Sequence, residues 1–285
     1  MRADVENSRT SPSAFALWHN HVYRLYWAGA FVSFLGSWMQ TVAQGWVVYE
    51  LTNSEMLLGL LGFVGSFPTT LLSLFGGVVA DRLEKRKLVI TTQALFAVNA
   101  FILAALVLSG RVAYWHIVLI AVLNGFIVAL DAPARQAMVM ELVGKQLVTV
   151  GVAMNSAAFN TARILGPAIA GKLIEVANAG WCFFINAVSY LGIIFALWRI
   201  PATSHPASAE RLSVWSELRE GLVYVYQNAL LRALLLLDCV LSIFAMSYTT
   251  LMPVFARDEL QVGKQGLGNL FSATGIGALT GALIL

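Results

Sequence analysis

Between residues 77 and 87 the chain reads Gly77-Val78-Val79-Ala80-Asp81-Arg82-Leu83-Glu84-Lys85-Arg86-Lys87, a burst of charge set between two long apolar runs. The runs, 56–80 and 88–110, contain no Asp, Glu, Lys or Arg. Each exceeds the roughly 20 apolar residues with which a helix crosses about 30 Å of hydrocarbon. The charged segment therefore separates two predicted transmembrane helices.

The composition of the whole chain is also that of a membrane protein. Hydrophobic residues make up 59% and charged residues 12%, with a mean hydropathy of +0.75, whereas soluble domains carry about 25% charged residues. A segment inside hydrocarbon must satisfy its own backbone hydrogen bonds, and these runs lack the alternation of a barrel strand. The sequence therefore predicts an all-α integral membrane fold.

Eight apolar runs are long enough to span the bilayer, and they divide the chain into four parts. The predicted transmembrane helices lie at about 25–48, 57–79, 88–109, 113–130, 150–176, 181–198, 229–255 and 266–285. We expect a cytoplasmic tail (1–24), a six-helix bundle (25–199) with cytoplasmic segments near 81–87 and 131–149, a cytoplasmic linker (200–228) and a second bundle (229–285). The last run stops at Leu285 without a polar tail, so we expect the second bundle to be truncated.

The linker combines two kinds of sequence. Pro201 and Pro206 predict a flexible segment, and after them Trp215, Leu218 and Leu222 recur at helical spacing with charged residues between them. This pattern predicts an amphipathic helix. The helix can lie in the membrane interface or pack against the cytoplasmic ends of the bundle, and the sequence leaves both arrangements open.

Lysine and arginine are concentrated on one predicted side of the membrane. Most of them fall in the tail, in the segments after helices two and four, and in the linker, and the positive-inside rule places those segments in the cytoplasm. We therefore expect a multi-pass protein of the plasma (inner) membrane, embedded in the lipid bilayer with its amino terminus in the cytoplasm. The net charge of +3 then reflects topology, and no nucleic-acid partner is expected.

The predicted order of helices resembles that of the major facilitator superfamily, in which six helices, a cytoplasmic linker and a second bundle follow one another. The superfamily has a signature in the loop between helices two and three, consisting of Gly, Asp and basic residues at fixed spacing. The residues that match it here are Gly77, Asp81, Arg82, Lys85 and Arg86, while Glu84 occupies the position of a usual Gly. The resemblance implies a major facilitator type bundle with two helices of its second half present.

Longer runs resemble the enterobactin-exporter-like and macrolide-efflux-like branch of that superfamily. They lie at 37–40, 51–54, 131–136 and 251–256. The resemblance implies a secondary transporter that exports an amphipathic small molecule, such as a drug or siderophore, by alternating access and coupled to protons, as a monomer when full length. An importer of the same fold and a membrane-embedded assembly or regulatory partner are the alternatives.

The resemblance also implies a conformational latch on the cytoplasmic side. Asp81 lies at the membrane boundary among cations, and we expect Asp131 and Arg135, at the predicted end of helix four, to join its ion-pair network. The latch holds the two bundles together in one state and releases them in the other. Positive-inside sorting alone explains Lys85 and Arg86 equally well.

Small residues predict close packing of helices five and eight. Helix five contains Gly166, Pro167 and Gly171, and helix eight contains Gly277 and Gly281, one small-xxx-small step apart. Small residues let helix backbones approach closely, and proline removes one helical hydrogen bond. The superfamily arrangement implies that these two helices meet at the interface between bundles.

Two charged residues lie deep in predicted helices. Arg163 is 13 residues into helix five, near mid-membrane, where an arginine costs on the order of 2.5–3.5 kcal/mol on insertion scales. It should therefore face a partner, water or the substrate pathway, and bridging of backbone carbonyls is the alternative. Asp238 lies in helix seven, where hydrocarbon favours its neutral form, so it can carry a proton or pair near the interface.

Four uncharged polar residues are further candidates for the substrate pathway. Gln40 and Gln44 share one face of helix one because they are four residues apart, and the superfamily arrangement also brings Asn124 and Tyr248 to the central cavity. Hydrogen bonding between helices explains such residues equally well.

Signals for an enzyme are lacking. The four histidines have no metal-ligand spacing, and neither a nucleophile motif nor a Walker sequence is present. We expect no catalytic residue, no metal site and no cofactor.

Overall fold

The computed structural model describes residues 14–144, 146–200, 214–245 and 247–284. Within these ranges the regular structure is helical and no strand occurs. The helices are α1 (Ala14–His19), α2 (His21–Thr52), α3 (Glu55–Arg82), α4 (Lys85–Leu108), α5 (Tyr114–Val143), α6 (Val148–Val176), α7 (Ala179–Arg199), α8 (Val214–Gln227), α9 (Ala229–Ala245), α10 (Ser247–Val254), a π-helical turn (Phe255–Glu259) and α11 (Gly263–Ile284). The predicted all-α fold is confirmed.

Polar residues fix several of the helix ends. The side chain of Asn20 accepts hydrogen bonds from the backbone N–H groups of Val22 and Tyr23, at 3.0 and 3.2 Å, and so caps α2. Asn53 ends the same helix in the left-handed region, with φ of 46°. Ser54 then caps α3 through the N–H of Leu57 at 3.3 Å. These consecutive caps produce the tight turn between the two helices.

Four helices of the described chain are long and apolar enough to cross a membrane by length and composition. They are Glu55–Ser73 of α3, Lys85–Leu108, Tyr114–Val143 and Ala179–Arg199. A fifth span results if the two segments Arg219–Gln227 and Ala229–Leu241, which are bent by 99° relative to each other, cross the membrane as one. Helices α2 and α6 are less hydrophobic than these four. Helix α2 carries Gln40 and Gln44, and α6 carries Arg163. For the other apolar runs among the eight, the assignment as a membrane span stays a prediction.

The predicted end of helix four at residue 130 is wrong, while the cytoplasmic location of 131–149 stays a prediction. Helix α5 continues to Val143, 13 residues beyond the predicted end at residue 130. Met138 and Val139 are buried on this extension, and their burial stabilises the helix beyond the first charged residue. Asp131 therefore lies well inside α5 rather than at its end. Residues 1–13, 145 and 201–213, from the predicted tail, loop and linker, lie outside the described residues.

The six helices α2–α7, here called the first bundle, pack around α2, α5 and α7. Helix α2 packs against α6 and α7, α3 against α5, and α4 against α5 and α7, while α11 packs along α6. Two large apolar clusters result. One surrounds Met39, Leu103 and Phe183 on the predicted outer side, and the other surrounds Tyr26 and Met138 on the predicted cytoplasmic side.

A layer of polar side chains lies between these two apolar clusters. It is formed at corresponding depths of α2, α4, α5 and α7 by residues that are largely buried. Its members are Ser33, Gln40, Thr92, Gln93, Asn99, Asp131, Asn186, Ser189 and Tyr190. Since hydrocarbon supplies no hydrogen-bond partners, these groups must bond to other protein groups or to enclosed water.

Gly36 allows α2 and α7 to approach closely within the polar layer. A Cβ atom at this position would lie 2.6 Å from Ser189 Oγ and 2.9 Å from the Asn186 Cα atom. Both distances are too short for non-bonded carbon contacts. The absence of a side chain at Gly36 is therefore a condition for the packing of the first bundle.

Replacing Gly36 with valine should lower the thermal stability of the detergent-solubilised protein, because overpacking of this kind costs about 1–3 kcal/mol. The matched control is Gly192→Val on α7, where a Cβ would meet nothing within 4 Å. The measurement is size-exclusion chromatography after heating. Equal melting temperatures for the two variants would contradict the packing described.

Candidate functional site

A cavity of about 1070 Å³ lies between the first bundle and the start of the second. Helices α2, α3, α5 and α6 supply most of its lining, and α10 and α11 close it from the other side with Thr249, Thr250, Pro253, Phe271 and Thr274. Its lining extends from Gly45 near the predicted outer end of α2 to Val139 near the predicted cytoplasmic end of α5. The volume is sufficient for a drug-sized molecule.

The lining combines aromatic rings with hydroxyl and amide groups. The aromatic members are Phe34, Trp38, Phe96, Phe159, Tyr190 and Phe271. The charged members of the described lining are Asp131, Arg135 and Arg163. Such a surface accepts the apolar body of an amphipathic molecule and offers a few polar contacts to orient it.

Asp131 and Arg135 form a buried ion pair at the cavity wall. Arg135 Nε lies 2.7 Å from Asp131 Oδ2, and the two side chains are only 11% and 10% exposed. Arg135 Nη2 donates to Ser33 Oγ at 3.2 Å, and Ser33 donates to Gln93 Oε1 at 3.3 Å. Gln93 Nε2 closes the ring by donating to Asp131 Oδ1 at 2.9 Å, and Thr92 donates to the same oxygen at 2.6 Å.

This ring connects three helices through one pair of charges. Ser33 belongs to α2, Thr92 and Gln93 to α4, and Asp131 and Arg135 to α5. A buried ion pair is tolerated only when further hydrogen bonds compensate for the lost hydration of both charges. The partners from α2 and α4 provide that compensation, so the packing of the three helices depends on the charge state of the pair.

The polar layer continues from the ring toward α7. Ser37 Oγ lies 3.1 Å from Tyr190 Oη, and Asn186 Nδ2 donates to Gln40 Oε1 at 2.8 Å and to Tyr190 Oη at 3.2 Å. Gln40 is 7% exposed. It is therefore part of a hydrogen-bonded helix contact as well as of the cavity lining.

Two polar atoms of the cavity wall lack a protein partner. Among the described residues, Arg135 Nη1 and Asn155 Oδ1 are buried without a hydrogen bond, and both residues line the cavity. Arg135 Nη1 is a donor and Asn155 Oδ1 is an acceptor. An unpaired buried group is costly, so water or a bound molecule is expected at this part of the wall.

The predicted pathway residues divide into two groups. Gln40, Gln44, Asn124 and Arg163 all line the cavity, with Asn124 accepting a hydrogen bond from Asn99 at 2.9 Å. The other two, Asp238 and Tyr248, lie outside the described lining, and their side chains are exposed.

The predicted latch residues are distributed over two places. Asp131 and Arg135 belong to the buried ring. Lys85 pairs with Glu141 at 3.6 Å, and Arg86 donates to the carbonyl oxygens of Leu197 and Trp198 at 2.8 and 3.1 Å.

These contacts of Lys85 and Arg86 stay within the first bundle, where Arg86 covers the carboxyl end of α7 and favours it electrostatically. Arg82 lies in the last turn of α3, and a Cβ at Gly77 would meet nothing within 4 Å. The side chain of Asp81 lies outside the described residues.

The predicted packing residues of α6 contact two different helices. A Cβ at Gly166 would lie 2.7 Å from Trp38 Cβ on α2, whereas one at Gly171 would lie 3.1 Å from the Gly268 Cα atom on α11. The carbonyl oxygen of Pro167 also lies against Gly268. Gly166 therefore allows close packing within the first bundle, whereas Gly171 and Pro167 pack against α11.

The contacting face of α11 consists of Gly268, Ser272 and Gly275. Ser272 Oγ donates to the carbonyl of Ile164 at 2.6 Å, and a Cβ at Gly275 would lie 2.8 Å from Ile164 Cγ1. At Gly277 and Gly281 a Cβ would meet nothing within 4 Å. At 100° per residue Gly277 points about 200° away from Gly275. Gly277 and Gly281 therefore do not take part in the contact with α6.

A contact at the predicted outer ends of the helices was not predicted from the sequence. Tyr49 of α2 donates a hydrogen bond from its hydroxyl to Asp258 of the π-helical turn. Arg257 lies over the Tyr49 ring, 5.3 Å from its centroid, and Nη1 approaches the Tyr49 carbonyl at 3.5 Å. We call Tyr49, Arg257 and Asp258 the outer clamp. The charges at 257–259, directly after an apolar run, are the sequence signal for this contact.

The chain is similar in sequence to a group of membrane transporters. A family described as transmembrane secretion effector matches residues 12–285. The staphyloferrin A transporter of Staphylococcus aureus is 27% identical over 92% of this chain and 66% of its own length. Macrolide efflux protein A of Streptococcus pyogenes is 23% identical, over 91% and 64%. The enterobactin exporter EntS of Shigella boydii is 24% identical, over 92% and 62%.

The match covers nearly the whole chain, while the chain spans only 62–66% of the length of these three relatives. The resemblance inferred from the loop signature and the longer runs is confirmed. The family and these relatives are transporters, not enzymes, and the apolar helices agree with a multi-pass membrane protein. The chain belongs to the transmembrane secretion effector family, in the efflux-like branch of the major facilitator superfamily.

Proposed function

We propose that this protein is a secondary transporter that exports an amphipathic small molecule across the plasma (inner) membrane, in exchange for protons and by alternating access. One observation carries the proposal, namely the cavity of about 1070 Å³ between the first bundle and α10 and α11. Its mixed aromatic and polar lining suits a drug or siderophore. The proposed form is a monomer with a cytoplasmic amino terminus, and the 285 residues contain its first bundle and part of its second.

Alternating access requires contacts between the bundles that can open on one side of the membrane and close on the other. The outer clamp joins α2 to the π-helical turn, and Lys264 lies over the Trp46 ring, 5.9 Å from its centroid, at the same end. The cavity lining runs from there toward the cytoplasmic end of α5. These contacts support a state that is closed on the outer side, in which the exporter takes up its substrate from the cytoplasm.

The small residues along α6 and α11 support movement between such states. Gly171 and Gly268 bring the two backbones together, so side chains do not interlock at this point of the interface. A smooth interface can shift with little repacking. The first bundle, in contrast, is held by its polar layer, which favours movement of one bundle against the other as a unit.

Proton coupling is assigned to Asp131 in this proposal. Among the described acidic residues, Asp131 is the one that is buried, and its oxygens accept hydrogen bonds from Thr92, Gln93 and Arg135. Protonation removes its attraction for Arg135 and weakens the ring. A ring that is intact in one conformation and broken in the other converts proton binding into a population shift. Asp238 is the second candidate proton carrier.

The cytoplasmic latch is part of the same proposal. Asp81, Arg82, Lys85 and Arg86 lie at the end of α3 and the start of α4, and α4 also carries Thr92 and Gln93. A change in the ring can therefore be transmitted along α4 to the latch. In the proposed cycle the latch closes the cytoplasmic side when the outer clamp opens.

Expression of the complete reading frame in cells that lack their own exporters should lower the accumulation of an amphipathic compound from a panel of siderophores and macrolides. A protonophore should abolish the effect, because it removes the proposed driving force. Increased accumulation would instead favour the importer, and an unchanged level across the panel would favour an assembly or regulatory role.

Asp131→Asn should abolish proton-dependent efflux while Asp238→Asn retains it. Removal of one partner of a buried ion pair also destabilises by about 3–5 kcal/mol, because the other charge is left uncompensated. The double variant Asp131→Asn/Arg135→Gln removes both charges and should recover thermal stability without recovering efflux. Proton-dependent efflux by a stable double variant would contradict the role of Asp131.

A further inference from the structure

We infer that the cavity selects ligands with a negatively charged group, and that Arg163 together with Trp38 forms the subsite for that group. The ligand class is an amphipathic organic anion, with a carboxylate next to an aromatic or otherwise apolar body. This inference rests on the proposed transport function, because it names the substrate class of the same cavity.

The charge balance of the cavity favours an anion. Three charged side chains belong to its described lining. Asp131 and Arg135 neutralise each other at 2.7 Å, which leaves the charge of Arg163. Within the described part of the chain, no carboxylate lies within 4.0 Å of the Arg163 guanidinium. The formal charge of the described lining is therefore about +1.

The surroundings of Arg163 orient its guanidinium without consuming its hydrogen-bond donors. The group lies over the Trp38 ring, with its central carbon 5.6 Å from the ring centroid. A cation held over a ring face is attracted through its charge, so its N–H groups are not used by this contact. Among the described residues these N–H groups make no hydrogen bond. A carboxylate matches the edge of a guanidinium with two parallel hydrogen bonds, whereas a neutral amide cannot.

An apolar surface for the ligand begins directly beside this charge. Trp38 contacts Phe159 edge to face, with centroids 5.8 Å apart, and Phe159 contacts Phe34 at 5.4 Å. The three rings form a wall between α2 and α6. Arg135 lies over the far ring, 5.1 Å from the centroid of Phe34, but its charge is already paired. An aromatic anion can thus pack along the wall with its charge at the Arg163 end.

The position of Arg163 also relates this subsite to the movement of the bundles. A Cβ at Gly275 of α11 would lie 3.3 Å from the carbonyl oxygen of Arg163. The backbone that carries the cation therefore belongs to the smooth contact between α6 and α11. An anion bound to Arg163 lies next to the interface that moves in the proposed cycle.

The test uses dansylglycine as the anionic probe and dansylglycinamide as its neutral counterpart. Binding to protein purified from the complete reading frame is measured by energy transfer from tryptophan to the dansyl group. The carboxylate should bind about tenfold or more tightly than the amide, the effect expected of a charge-assisted hydrogen bond. Arg163→Gln should abolish this preference by weakening carboxylate binding more than amide binding, and Arg163→Lys should retain part of it.

The matched control is Arg199→Gln, because Arg199 also lies over an aromatic ring, 4.8 Å from the centroid of Phe195, but outside the cavity lining. It should keep the full preference. Equal affinities of the wild type for both probes, no binding of either, or a carboxylate preference that survives in Arg163→Gln would overturn the inference. Efflux is measured separately, so a transporter without anion preference is distinguished from a protein that does not transport.

Discussion

The ion pair between Asp131 and Arg135, 2.7 Å apart and buried within the first bundle, is the contact on which the rest of the arrangement depends. Charges in an apolar interior require partners, and Ser33 and Gln93 supply them from neighbouring helices. Three helices, α2, α4 and α5, must therefore contribute polar groups at one depth, and α7 joins them through Asn186 and Tyr190. The polar layer that results separates the two apolar clusters and forms one wall of the cavity.

The first bundle and its contact with α11 differ in their physical character. Inside the bundle, hydrogen bonds in the polar layer and close packing at Gly36 fix the helices relative to one another. Between α6 and α11, by contrast, Gly171 and Gly268 leave a smooth contact. A rigid bundle beside a smooth interface is the arrangement that rocking around a central cavity requires. The outer clamp adds polar contacts at one end only, where they can break without disturbing the bundle.

Much of the fold could be predicted from the sequence because hydrocarbon imposes simple requirements. The absence of charge over about 20 residues located the helices, and the cost of a buried cation singled out Arg163, which the structure places in the cavity. The depth of Asp131 could not be predicted, because a charge directly after an apolar run predicts the end of a helix. The burial of Met138 stabilises α5 beyond this charged residue. Which side chains meet in the ring, Gln93 for example, depends on how each helix is rotated about its axis. No local sequence pattern specifies that rotation.

The most direct measurement is the distance between spin labels at Glu50 and Glu259, two exposed residues on either side of the outer clamp. It uses the complete reading frame without Cys182 and Cys239, and labels at Glu50 and Arg111 within the first bundle serve as the control. We expect two distances across the clamp whose populations change with pH and added substrate, while the control distance stays constant. A single clamp distance under all conditions would contradict alternating access around this cavity.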